Sequence, residues 1–180
     1  MDNIIVDLET SGLIPRVHGV LDIGAVAPKS NQEFSMRCHL YYGQEISSVA
    51  QKINGLSKEE MFDKSLPTQQ EAAEHFFNWV KGITDAPMLV AHNARFEYDW
   101  LYYLSDLLNN TENLLNNTEN YPWPFGYRVL DIHSIYWAKT GKSGSLDDIS
   151  RDLGIIPEPR PHRAINGARQ AYKVMQELFS

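Results

Sequence analysis

The stretch Ile4-Ile5-Val6-Asp7-Leu8-Glu9-Thr10-Ser11-Gly12-Leu13 decides the reading of this chain. A short apolar run ends in two acids one residue apart. In a strand, successive side chains go to opposite faces, so Asp7 and Glu9 point the same way. Two neighbouring carboxylates repel each other and are costly on a half-buried strand unless a cation stands between them. Their hard oxygens suit Mg2+ or Mn2+ rather than zinc. Thr10-Ser11-Gly12 then ends the strand in a turn whose backbone N–H groups can face an anion. The pattern predicts a metal site built to meet a phosphate.

Outward from this strand, Val20 to Ala27 and Gln32 to Leu40 read as two more strands, with Pro28-Lys29-Ser30-Asn31 as the hairpin turn. Three strands before any long helix predict an antiparallel meander within a mixed sheet. Ser57-Lys58-Glu59-Glu60 has the form of a capping box. Pro67-Thr68-Gln69-Gln70 opens a longer helix with Ala72, Phe76, Phe77 and Val80 on one face. Pro87 to Ala91 reads as a buried strand, Ala94 to Leu108 as a helix and Tyr127 to Leu130 as a strand. Ser145 to Leu153 and Arg163 to Leu178 read as the closing helices.

The chain has 180 residues, 43% apolar and 22% charged, which suits one domain spanning 1–180 with a full core. There is no apolar run of about 18 residues, so no membrane span is expected. A strand-like start without a signal-peptide pattern, and Cys38 as the single cysteine, predict a cytoplasmic protein without an internal disulfide. The net charge of −7 argues against a broad basic nucleic-acid-binding surface, but not against a nucleic-acid enzyme whose bound cations invert the local charge.

Leu107 to Asn113 reads LLNNTEN, and 114–120 repeats it residue for residue. Asn at this density is poor for a helix interior, so 107–120 is expected to be a duplicated loop insertion rather than a substrate-contacting one. Trp79, Trp100, Trp123 and Trp137 are expected as core or loop anchors. The stretch Tyr121-Pro122-Trp123-Pro124-Phe125 is expected to pack the insertion onto the core, with stacking of unpaired bases as the alternative.

Two further clusters complete the pattern. In Ala91-His92-Asn93-Ala94-Arg95-Phe96-Glu97, Asn93 suits a helix N-cap and Glu97 follows one turn later, able to face Asp7 and Glu9 as a third carboxylate. In Arg160-Pro161-His162-Arg163-Ala164-Ile165-Asn166-Gly167, Pro161 suits a helix start. His162 at the helix entrance is favoured as neutral imidazole, a suitable general base. Taken singly, a capped helix with exposed acids and a surface histidine explain these two clusters as well.

Together, the DLETSGL start, the AHNARFEYDWL middle and the HRAINGARQA end resemble the DEDDh family of 3′-to-5′ exonucleases. Residues 51–61, Val129-Leu130-Asp131 and Ser145 to Ile149 resemble the family's intervening segments, so the likeness runs over nearly the whole chain. The resemblance implies an α/β, ribonuclease H-like fold: a mixed five-stranded sheet flanked by helices. It also implies two Mg2+ or Mn2+ ions, a nucleic-acid 3′ end as partner and a 5′-mononucleotide product. Carried over, Asp7, Glu9 and Glu97 are the acids and His162 is the base. Thr10 and Leu13 would meet the terminal nucleotide, and Asn93 and Phe96 the scissile strand. DNA or RNA as substrate, and homodimerisation, stay open.

The chain departs from the family twice. Glu97 stands where Asp is usual, which keeps the charge. Gly167 stands where the family has its last Asp, five residues after the histidine. Glycine cannot bind a metal and is poor in a helix by roughly 1 kcal/mol. Three readings are open: Gly167 is an engineered change in an otherwise active enzyme; or it is natural, with water or Asn166 filling the gap, or Asp131 or Asp148 partly replacing the acid, and activity reduced; or the chain is a non-catalytic nucleic-acid- or protein-binding module.

Overall fold

The computed structural model describes residues 1–112 and 123–180. Its strands are β1 (Asp2–Thr10), β2 (Val20–Ala27), β3 (Gln32–Arg37), β4 (Pro87–Ala91) and β5 (Val129–Asp131). They form one five-stranded sheet in the order β3-β2-β1-β4-β5. β1 and β2 pair antiparallel, as do β2 and β3, while β1–β4 and β4–β5 are parallel. The expected meander and mixed sheet are both present. The helices are α1 (Ser48–Asn54), α2 (Lys58–Met61), α3 (Gln69–Ile83), α4 (Ala94–Glu112), α5 (Ile132–Thr140), α6 (Leu146–Asp152) and α7 (Ala164–Phe179).

The alternation along β1 divides the core. Ile4, Val6 and Leu8 join Phe76, Phe77 and Val80 of α3 and Trp100, Leu101 and Leu104 of α4 on one face. Ile5 joins Val90, Ile132, Tyr136, Ile149 and the Ala168, Ala171, Val174, Leu178 stripe of α7 on the other. Each fully buried large side chain contributes about 1.5–3 kcal/mol by leaving water. α7 comes close to β2 because Gly24 has no side chain: a Cβ there would overlap the backbone of Ala164 and Ile165.

The capping box of Ser57 and Glu60 is present, and Thr68 and Glu71 form a second one that starts α3. Other boundaries differ from expectation. β3 stops at Arg37 rather than Leu40, and β5 runs Val129–Asp131 rather than from Tyr127 to Leu130. α1 and α5 were not expected, although each is bracketed by caps: Ser47 and Gly55 for α1, Asp131 and Gly141 for α5, with both glycines left-handed. α4 continues to Glu112, so most of the first heptad copy is helical rather than loop. Leu107 and Leu108 pack against the core there and carry the helix onward. The second copy, 114–120, and Tyr121 and Pro122 lie outside the described residues.

Trp100 is fully buried, Trp79 packs on Phe34 and Phe76, and Trp123 packs on Tyr98 and Phe125. Phe125 is buried against Phe76, which favours the packing role for that segment. Trp137 departs from the expectation of a core anchor: it is 59% exposed, because α5 turns that face to solvent. Among the described residues, no helix is long and apolar enough to cross a membrane.

Candidate active site

The same alternation that buries Ile5 carries Asp7 and Glu9 onto the α7 face of the sheet. Both are half-buried. Register pairing sets Glu9 opposite Asp22 of β2 and Asp7 opposite Gly24. Asp22 is 2% exposed, and its Oδ2 accepts the Ala164 N–H at 3.3 Å, anchoring the first turn of α7. Arg163, the N-cap residue, makes no side-chain capping bond of its own. Pro161 precedes the helix instead of opening it, and the Arg160–Pro161 bond is cis.

Glu97 projects from the first turn of α4 and is 5% exposed. Burial pushes its carboxyl up to about 8, with the charge of Asp131 adding to the rise. Glu9 is likewise raised to about 8, by burial first and then by Glu158 and Asp22, against a pull from Arg163 and Arg160. Asp7 is held well above the usual carboxylate range by burial, then by Glu97, Glu9, Glu158 and Asp22. Asp7 therefore feels the charge both of Glu9 from its own strand and of Glu97 from the first turn of α4.

His162 lies on the segment before α7, two residues ahead of the Ala164 N–H that Asp22 holds. Its Nδ1 lies against Oε1 of Glu158, and both side chains are nearly buried. The tautomer with the proton on Nδ1 donates to Glu158 and leaves Nε2 as the basic nitrogen. Glu158 is fixed in turn through its backbone: its N–H donates to Gln170 Oε1 at 2.7 Å, and Gln170 Nε2 donates to Ser150 Oγ at 2.8 Å and Asp147 Oδ1 at 3.1 Å.

Gly167 faces the first acid. A Cβ there would meet the Asp7 carboxylate, 2.6 Å from its Cγ. None of the three expected stand-ins fills the gap. Asn166 turns its Oδ1 to Arg169. Asp131 uses Oδ2 on Ala94 N–H at 2.9 Å and Oδ1 on Ser134 N–H at 2.6 Å, capping two helices at once. It thereby takes over at the start of α4 the role expected of Asn93. Asp148 closes the capping box of α6 and pairs with Arg151.

Around the acids, the 11–19 loop leaves Leu13 78% and Ile14 56% exposed. Thr10 is nearly buried, its Oγ1 donating to Gly12 O at 2.7 Å. Asn93 is exposed, and Phe96 is half-buried against Trp100. Sequence reasoning missed Asp22 and Glu158. An acid inside the otherwise apolar strand VLDIGAVA was a legible anomaly. Glu158 gave no signal, because Pro157, Pro159 and Pro161 hide any periodicity linking it to His162.

The donor chemistry fits a hard divalent cation: carboxylates only, with Glu97 Oε2 and Glu158 Oε2 buried and without a hydrogen-bond partner among the described residues. No three His, Cys, Asp or Glu side chains among the described residues already stand in a coordinating arrangement.

No protein-family model matches the chain. It is 29% identical over 173 residues to the 3'-5' DNA exonuclease Cap18 of Escherichia coli, covering 91% of this chain and 84% of that protein. The nuclease domain of 3'hExo, a DEDDh family member bound to rAMP, superposes with a TM-score of 0.71 at 15% identity, over 99% of this chain and 91% of that one. The Mg2+- and Mn2+-bound form of S. pombe Pop2p gives 0.69 at 14% identity, over 98% and 82%. The chain spans 11% of a PolC-type DNA polymerase III of Thermotoga petrophila and 46% of the DNA polymerase III subunit epsilon of Rickettsia prowazekii. The fold is ribonuclease H-like, that of the DEDDh-family nuclease domain, and the likeness in sequence is to proteins named as a 3'-5' exonuclease and as DNA polymerase III subunits.

Proposed function

We propose that this relative of the 3′-to-5′ exonucleases is itself a metal-dependent 3′-to-5′ exonuclease. In this reading residues 1–180 act as one catalytic unit that releases 5′-mononucleotides from single-stranded DNA or RNA. The observation that carries the reading is the mutual influence of Asp7, Glu9 and Glu97, with a buried Glu97 oxygen that has no hydrogen-bond partner among the described residues.

Asp7 and Glu9 would hold Mg2+ or Mn2+, with Glu97 completing the acidic wall. Two such ions, when bound, supply charge stabilisation at the attacking and leaving oxygens. The chain's own residues do the rest. His162, its Nδ1–H held by Glu158, offers Nε2 to take the proton of the attacking water. Exposed Leu13 packs on the terminal base, and the backbone at Thr10 receives the terminal nucleotide. Asn93 and Phe96 line the path of the strand. Gly167 favours a second reading, a nucleic-acid- or protein-binding module that does not cut.

Digestion of a 5′-labelled single-stranded oligonucleotide in Mg2+ and in Mn2+ separates the two. A stepwise ladder that Asp7→Ala abolishes supports the enzyme. Silence from both the native chain and Gly167→Asp, with oligonucleotide binding retained in chelator, supports the module.

A further inference from the structure

The site carries more buried carboxylate than its neighbours balance. Asp7, Glu9, Asp22, Glu97 and Glu158 converge, and the opposing charges acting on Glu9 are Arg160 and Arg163, of which Arg160 also pairs with Asp147. A buried ionised oxygen without a donor is costly, so such oxygens mark where a cation or donor belongs. Glu158 Oε2 is one of them: its side chain is only 6% exposed, its Oε1 is taken by His162 and its Oε2 has no partner among the described residues. The backbone at Glu158 is pinned to Gln170, one helical turn beyond Gly167 on α7. Glu158 thus lies on the segment that leads into α7, whose Ala164 N–H is held by Asp22, the partner of Glu9 in the sheet, and whose Gly167 faces Asp7 without a side chain to offer.

We propose that Glu158 is a cation-binding carboxylate of this site, supplied by the segment before α7 where the helix itself presents Gly167. Oε1 keeps His162 oriented, and Oε2 would share a divalent cation with Asp7 and Glu9 once the three side chains close on it, since among the described residues they do not yet stand in a coordinating arrangement. The inference rests on the metal-dependent reading above. It extends that reading by giving the site a ligand that no spacing in the sequence pointed to, and by making an acid at position 167 dispensable.

Mn2+ alone is the probe, followed by titration calorimetry and by the paramagnetic resonance of free Mn2+, with unfolding in chelator to check that each variant is folded. Glu158→Gln keeps the shape and the contact to His162. It is expected to weaken Mn2+ binding about tenfold or more. Adding Gly167→Asp to Glu158→Gln is expected to restore binding, since the end of the Asp7 side chain can swing aside. If the Gln variant does not fold, Glu158→Asp carries the test, because the shorter side chain should also bind more weakly. Mn2+ binding unchanged in the folded variant, with Asp7→Asn still losing it, overturns the inference and leaves Glu158 as a positioning residue for His162. No Mn2+ uptake by the native chain would overturn the metal-dependent reading as well, so the two failures are distinguishable.

Discussion

The two faces of β1 share one backbone and do opposite things. Ile4, Val6 and Leu8 meet α3 and α4 across a dry core built from Phe76, Phe77, Trp100 and Leu104. Ile5, Asp7 and Glu9 start in an equally apolar core under α7 and end among acids. The first face stabilises the sheet along its whole length. The second gives up that stabilisation at the end of the strand, where burial of the carboxyls, and then the charges of their acidic neighbours, oppose their ionisation. In the metal-dependent reading a bound cation would relieve that cost, so the face that folds the protein and the face proposed to serve it separate at single-residue resolution.

The sharpest break of this comparison is Trp100→Ala. Trp100 is fully buried, and its loss should cost about 3–5 kcal/mol, read as a lower midpoint in denaturant. Asp7→Asn should act the other way. Oligonucleotide cleavage should fall about a hundredfold or more, while stability in chelator stays level or rises, because a carboxyl whose ionisation is opposed by burial and by its acidic neighbours is gone. If Asp7→Asn destabilised the chain as Trp100→Ala does, the two faces would not differ as argued.

pH sharpens the same contrast. Glu9 and Glu97 have folded-state values near 8 against 4.5 when unfolded. Between those values the folded chain holds protons that the unfolded chain has released, so stability falls as pH rises through the window. Depressed His92 opposes this only below about 6.5, so the decline is best read between 6.5 and 8 in chelator. Glu97→Gln should make it shallower, with Glu9 and Asp7 still contributing, and millimolar Mn2+ should cancel it. A profile that rises over the same interval would mean that the acids are paired rather than crowded.

The acidic face was legible in sequence as far as periodicity reaches. Alternation placed Asp7 and Glu9 together, and the resemblance set Glu97 and His162 beside them. It could not reach Glu158, because a proline-bracketed loop has no period, and the contact with His162 exists only once Gln170 has pinned the backbone. Nor could it separate the two roles open to Asp131. Spacing marked that residue as near the site, but only geometry reveals both oxygens spent on helix caps. The dry face was read more fully: Phe76, Phe77 and Val80 lie where helical spacing put them. Its one surprise, the extension of α4 to Glu112, came from Leu107 and Leu108 docking on the core, a tertiary gain that outweighs the local preference of Asn.

The smallest effect tests whether exposure alone marks the substrate side. Leu13 is apolar, lies three residues past the end of β1 and leaves 78% of its surface in water, so it adds little to either core. Leu13→Ala should therefore change stability by less than about 0.5 kcal/mol. If the loop receives a terminal base, the same change removes apolar contact made only with substrate. KM for a short oligonucleotide should then rise severalfold while kcat moves little, since the lost binding is shared by ground and transition states. A fall in kcat at constant KM would place Leu13 in the alignment of the reacting phosphate. No kinetic change at all would move the nucleotide's path away from the 11–19 loop, towards Asn93 and Phe96 at the start of α4.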